Sequence, residues 1–236
     1  MEHPRILVVV PTFNEAANLP ELIRRLMALP TRDLCVLIVD DDSPDGTADI
    51  AERLGAQHDG RVRVLRHQGR GLGLAYRDGF REALATGARS IAQMDADLSH
   101  PPEDLPRMLA LLDTADVVVG SRWTPGGETE RWSRVRRWLS RSASRYAAFV
   151  LGLDVRDTTS GFKCYRREAL EALHFDGERS RGFMFQVETA YLCKRAGLRV
   201  AEAPIRFEPR RKGASKLGLR TIAEIVWRVP ALRLQR

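Results

Sequence analysis

Between residues 5 and 120, five short apolar runs alternate with stretches of helical periodicity, and this alternation constrains the fold more than any single motif. The runs 5–11 (RILVVVP), 34–39, 62–66, 90–94 and 116–120 (DVVVG) are β-rich and too short for buried helices, so they read as strands. The first is continuous and β-branched, as a central parallel strand is. Between them, Asn18 with Glu21 has capping-box spacing ahead of an apolar face of Leu22, Ile23 and Leu26, and Thr47 is placed to cap a helix running to about Leu54. A further helix is expected over 74–85, and another opens at Pro102. Strands and helices in such close alternation give a three-layer α/β fold, a mostly parallel sheet with helices on both faces.

Two of the strand ends are acidic. The second strand runs into Asp40, Asp41, Asp42, Ser43, Pro44 and Asp45, and the fourth into Asp95, Ala96, Asp97, Leu98 and Ser99. Carboxyl ends of strands are where open α/β sheets bind ligands. Two carboxylates one residue apart are hard oxygen donors that can hold Mg²⁺ or Mn²⁺, leaving other positions for the phosphate oxygens of a nucleotide-sugar. The competing reading is an exposed acidic turn that caps a helix. After the third strand, 67–74 (HQGRGLGL) is glycine-rich, but Leu74 stands where a dinucleotide fingerprint needs its last glycine, so that motif is rejected. The loop either approaches phosphates or an acceptor through its main-chain N–H groups or is a tight turn.

The second half is less regular. A basic amphipathic helix is expected over 131–151, with Trp132, Val135, Leu139, Ala143, Tyr146 and Val150 on one face and Arg134, Arg137, Arg141 and Arg145 on the opposite one. Arg136 and Ser140 fall at the edge of the apolar face, where a bound phosphate or a carboxylate would satisfy the arginine. Helices are expected over 167–173 and 184–196, a strand over 199–205, a basic loop over 207–216, and a last helix over 217–229 closed by Pro230. With 236 residues the chain suits one domain, and a net charge of +7 asks for an anionic partner. Cys35, Cys164 and Cys193 stand far apart, so neither a zinc site nor a disulfide framework is indicated and a reducing cytoplasm fits. No leader-like segment and no apolar stretch of membrane-spanning length is found in the sequence.

The order of motifs resembles that of the dolichyl- and polyprenyl-phosphate mannose synthases, inverting glycosyltransferases of the GT-A fold. The matching pieces run from Val9 to Lys216: V-P-T-F-N-E-A-x-N-L, V-D-D-D-S-P-D-G-T, G-L-G-L-A-Y, M-D-A-D-L-S-H-P-P-E, G-S-R-W, R-x-x-x-S, S-G-F-K-C-Y, F-Q-V-E and R-x-x-G-x-S-K. The resemblance implies a GT-A domain over residues 1–216, followed by an amphipathic helix over 217–236. It implies transfer of mannose from GDP-mannose to a polyprenyl or dolichyl phosphate at the cytoplasmic face of a membrane, with Mg²⁺ or Mn²⁺. Pro11, Phe13, Glu15, Asp40, Asp42, Asp95 and Ala96 would form the nucleotide pocket, and Asp95 with Asp97 would hold the metal and diphosphate. Arg122, Arg136, Ser140, Arg210 and Lys216 would surround the sugar-diphosphate and the acceptor phosphate. Two departures stand out: Ser99 replaces a Gln common in the dolichyl enzymes, and the carboxyl-terminal transmembrane helices of many relatives are missing. Contact with the lipid would then be made at the membrane surface, or through a membrane-embedded partner.

A phosphate acceptor suits these residues chemically. It is already ionised at neutral pH, so no general base is required to activate it, and the demand falls on cations that hold two anions together. The alternatives are a related transferase using UDP-glucose, UDP-N-acetylglucosamine or a UDP-aminosugar, and a non-catalytic subunit that keeps the fold. Nucleic acid is not an expected partner, because no recognised nucleic-acid motif is present.

Overall fold

The computed structural model describes residues 5–31, 33–68, 71–175, 182, 184–209 and 219–234, with side chains for all of these except 219–225. The amino-terminal half alternates as its periodicity dictates: β1 (Ile6–Thr12), α1 (Leu19–Met27), β2 (Leu34–Asp40), α2 (Thr47–Gln57), β3 (Val62–Arg66), α3 (Leu72–Ala85) and β4 (Ser90–Gln93). A 3₁₀ turn at Pro102–Asp104 leads into α4 (Leu105–Leu111), and β5 (Val117–Ser121) follows. Then come β6 (Glu128–Thr129), α5 (Arg134–Leu151), β7 (Lys163–Arg166), α6 (Arg167–Glu171), α7 (Phe185–Arg195), β8 (Val200–Pro204), β9 (Arg206–Phe207) and α8 (Leu219–Leu234).

The main sheet has seven strands in the order β3-β2-β1-β4-β7-β5-β8, and β6 pairs with β9 in a small second sheet. All neighbours in the main sheet are parallel except β7, which runs antiparallel to both β4 and β5. The carboxyl ends of β1, β2, β4 and β5 therefore share one edge with the amino end of β7. Along β1, Val8 and Val10 enter a core shared with α1 and α4, while Leu7 and Val9 enter a second core shared with α3 and α7. Helices thus cover both faces, which is why these strands are apolar at every position. Helix α3 lies close on β1 because Gly79 carries no side chain: a Cβ there would stand 2.5 Å from Val9 Cγ1.

Several local expectations are corrected. Asn18 does not cap α1 through its side chain; its amide donates to Glu15 Oε2 at 2.7 Å, and Glu21 pairs with Arg24 instead of reaching back. Thr47 is the first residue of α2, with Gly46 as the cap in a left-handed conformation (φ 80°). Helix α3 starts two residues early, at Leu72, and α5 starts three residues late, at Arg134, where Ser133 Oγ accepts from the Arg136 N–H. Pro230 lies inside α8, which continues to Leu234.

The largest correction concerns the orientation of α5. Its most buried residues are Ser140, Ser144, Ala147 and Leu151; of the expected apolar face Trp132 is buried and Ala143, Tyr146 and Val150 are partly buried against the core, whereas Val135 is exposed, as are Trp138, Phe149, Arg134, Arg137, Arg141 and Arg145. Helix α8 packs against α5: Val229 and Leu232 join Ala147 and Leu151 in a third core, and the Tyr146 hydroxyl donates to the Val226 carbonyl at 3.1 Å.

Candidate active site

The site is built from the loops at the shared strand edge. Three main-chain N–H groups lace the turn after β1 to the acidic turn after β2: Asn14 to Ser43 Oγ (3.0 Å), Glu15 to Thr47 Oγ1 (3.0 Å) and Ala16 to Asp45 Oδ2 (3.1 Å). Asp40 is held by the same turn. It is buried and accepts from Thr12 Oγ1, Ser43 N and Ser43 Oγ. Phe13, Asp41, Asp42 and Pro44 line a cleft of about 500 Å³, with the Phe13 ring half exposed above it. Pro11 is buried within β1 and Glu15 is half-buried beside the cleft's turn.

The second acidic turn follows β4, where Met94 N–H still bonds to the Val9 carbonyl (3.2 Å) before the chain leaves the sheet. Asp95 is partly exposed, with about a third of its side chain open. Its Oδ1 accepts from the Tyr76 hydroxyl at 3.2 Å, and a Cβ on Gly161 would stand 2.9 Å from both its oxygens. Asp97 is 4 % exposed, and its Oδ1 accepts from Ser99 N–H at 3.0 Å. Ala96 places its methyl in the core, which leaves only its main chain for a nucleotide. Beside the pair, the buried Ser99 Oγ and His100 Nδ1 have no hydrogen-bond partner, the latter 3.9 Å from Asp95 Oδ2. Burial lowers the His100 imidazole, so it is neutral near pH 7. Two hard carboxylates and two unsatisfied polar atoms fit a divalent cation that takes its other ligands from water and phosphate.

Arg122, at the end of β5, is almost wholly committed to the protein. Its N–H and Nε donate to Asp157 Oδ2 (3.0 and 2.7 Å), and its Nη2 donates to Asp157 Oδ1 and Thr159 Oγ1 (2.7 and 2.8 Å). At most Nη1 remains for a substrate. Burial works to raise the Asp157 carboxyl, yet the adjoining guanidinium holds it below the ordinary value. Trp132 links this pair to α5: Arg122 lies 5.6 Å from its ring centre and Arg136 lies 4.0 Å from it. Phe207 stands edge-on to both Trp132 and His100, so an aromatic ladder runs from the arginines to the D-x-D turn. Ser140 is buried on α5 one turn before Ser144, whose hydroxyl meets Thr159 Oγ1 at 3.2 Å. Arg210 and Lys216 lie outside the described residues, although Glu208, just before them, bonds through its N–H to the Ser99 carbonyl at 3.0 Å. Tyr76, Trp132 and Asp157 were not singled out as site residues from the sequence, although Tyr76 closes the G-L-G-L-A-Y motif and Asp157 opens D-T-T-S-G.

The model of glycosyl transferase family 2 matches residues 7–173, from the start of β1 through the second acidic turn to the end of β7 and beyond. The chain belongs to that family. Within it, the chain is 43% identical to an undecaprenyl-phosphate mannosyltransferase of Micrococcus luteus, over 94% of this chain and 91% of the relative. It is 40% identical to a polyprenol monophosphomannose synthase of Mycolicibacterium smegmatis, over 95% of this chain and 85% of the relative. A dolichol-phosphate mannosyltransferase of Pyrococcus furiosus shares 35% identity, the match covering 93% of this chain and 61% of that longer protein. The fold is also that of glucosyl-3-phosphoglycerate synthase from Mycobacterium tuberculosis, crystallised with Mn²⁺ and UDP (TM-score 0.69, 22% identity, 98% of this chain and 79% of the other). The sheet order and the edge carrying both acidic turns are therefore those of a GT-A glycosyltransferase.

Proposed function

We propose that this glycosyltransferase moves mannose from GDP-mannose to a polyprenyl phosphate, with inversion at the anomeric carbon. The observation that carries the reading is the 43% identity, along nearly the whole chain, to a mannosyltransferase named for undecaprenyl phosphate. The cleft at Phe13, Asp41 and Asp42 takes the nucleoside, and Asp95 and Asp97 hold Mg²⁺ or Mn²⁺, which when bound offsets the charge of the departing diphosphate. The acceptor phosphate is the nucleophile. Being ionised at neutral pH it needs no base, and Arg136, flattened on Trp132, with Ser140 one turn along α5, holds it in line. Arg122, fixed by Asp157, supports the same ladder and offers Nη1 toward the diphosphate.

No helix among the described residues is long and apolar enough to cross a membrane. The enzyme reaches its lipid from the cytoplasmic surface through the outer side of α5, where Val135, Trp138 and Phe149 stand among four arginines, joined by Trp227 and Leu234 of α8. Val229 and Leu232 belong to the core and take no part.

The test is transfer of radiolabel from GDP-mannose to a short polyprenyl phosphate with Mg²⁺ or Mn²⁺, run beside UDP-glucose and UDP-N-acetylglucosamine. Label entering the lipid from a UDP-sugar and not from GDP-mannose would overturn the donor assignment while leaving the acceptor standing.

A further inference from the structure

We propose that Tyr76 is a positioning residue for Asp95, and that α3 thereby holds the two acidic turns in register with each other. The inference rests on the reading of Asp95 and Asp97 as metal-holding residues. Tyr76 is fully buried, its ring stacked on Phe185 at 5.4 Å with 6° between planes and on Phe80 at 5.7 Å. A ring packed on two others cannot swing, so its hydroxyl is delivered to one place, 3.2 Å from Asp95 Oδ1. On the other side Gly161 leaves only bare backbone, since a Cβ there would press on both carboxylate oxygens at 2.9 Å. The Asp95 carboxylate is therefore confined between a rigid phenol and a glycine, while its outer part faces the site.

The same helix touches the other acidic turn. Five residues before Tyr76, the Gly71 N–H donates to Asp41 Oδ2 at 2.8 Å, just where α3 begins. One and a half turns of α3 thus connect the nucleoside cleft to the D-x-D turn through two hydrogen bonds to carboxylates. Groups that orient a metal ligand from behind are commonly worth ten- to a hundredfold in metal affinity. Tyr76 needs no contact with substrate to have that effect.

The test is Mn²⁺ affinity of the full chain, read from the electron paramagnetic resonance of free Mn²⁺, for wild type, Tyr76→Phe, Gly161→Ala, Phe80→Leu and Asp97→Asn. Tyr76→Phe keeps the ring stack, so it should melt like wild type while its Kd for Mn²⁺ rises about tenfold. Gly161→Ala should weaken binding in the same direction by displacing the carboxylate. Phe80→Leu loosens one of the two ring contacts without removing the hydroxyl, and should lower the melting temperature while raising Kd clearly less than Tyr76→Phe does, because Phe185 still holds the ring. Wild-type affinity in Tyr76→Phe, beside loss of binding in Asp97→Asn, would overturn the proposal and spare the metal assignment. An equal loss in Phe80→Leu would also overturn it, as a packing effect. If Asp97→Asn binds Mn²⁺ like wild type, the metal assignment fails and the role of Tyr76 with it.

Discussion

Asp97 and Asp157 are both buried acids, and the difference between them decides what each substitution does. Asp97 accepts a main-chain hydrogen bond from Ser99 and stands beside Ser99 Oγ and His100 Nδ1, which have no hydrogen-bond partner, and its proposed role is to hold a metal. Asp97→Asn keeps the volume and one acceptor oxygen. Transfer should fall at least a hundredfold while the thermal midpoint stays near wild type, which turnover assays and calorimetry on one preparation would check. Asp157 has its partner already, in the bidentate Arg122. Asp157→Asn leaves a guanidinium buried without its counter-charge and should cost about 3 kcal/mol of stability, measured by urea unfolding. The pH dependence follows from the lowered carboxyl. The folded protein keeps Asp157 ionised below the 3.8 of a free carboxyl, so the pair's contribution is complete above that value and is lost as pH falls through the lower folded value. Acid unfolding of wild type should accordingly show a loss below about pH 4 that is absent from Asp157→Asn, the sign being reversed if burial outweighed the guanidinium.

At the scale of elements, α5 shows where reading a sequence succeeds and where it fails. Its arginine stripe was legible, because charged residues at helical spacing have no alternative to solvent. Its buried face was legible only in part: Trp132 is buried and Ala143, Tyr146 and Val150 pack against the third core, but Val135 is exposed and two serines are turned inward. Ser144 can be buried only because Thr159, 15 residues on, supplies a hydroxyl, and no periodicity carries that information. For the same reason the D-x-D pair was legible from spacing at a strand end, whereas the Tyr76 and Asp157 contacts depend on chain crossings of 19 and 35 residues. The strands of the amino-terminal half were read nearly to the residue, because β1, β2 and β4 are buried almost throughout and their apolar runs stop at polar residues. The corrected orientation sharpens the contrast between neighbouring arginines. Arg136 is stacked on Trp132, whereas Arg137 is exposed and donates to Thr129 Oγ1 at 3.2 Å. Arg136→Lys should lower kcat/KM about tenfold, since an ammonium replaces neither the planar stack nor the fork, and Arg137→Lys should change it less than twofold.

For the whole molecule, the proposed contact with a bilayer rests on the exposed side of α5 and on residues 226–234 of α8. Phe149 is 86 % exposed, Trp227 81 % and Trp138 67 %, an arrangement that water disfavours and an interface accepts. Flotation with anionic vesicles should show binding at low salt that weakens at high salt, and Trp138→Ser with Phe149→Ser should reduce it at both. Transfer to a water-soluble short-chain acceptor should survive that double substitution. Absence of salt-dependent binding by the intact chain would assign delivery to a membrane-embedded partner.

The single reversed strand, β7, has a consequence for how the chain is made. It lies between β4 and β5 and supplies the hydrogen bonds that neither gives the other. Until residues 163–166 have left the ribosome, β4 and β5 each present an open edge, although more than two-thirds of the polypeptide is already synthesised. The first four strands can associate during synthesis, but the half of the site that contains Asp157 and Gly161 closes only with this late insertion. A chain ending at residue 155 lacks β7 and β8 and should therefore pellet on expression while the full chain stays in solution, because one open edge on β4 and two on β5 are templates for aggregation.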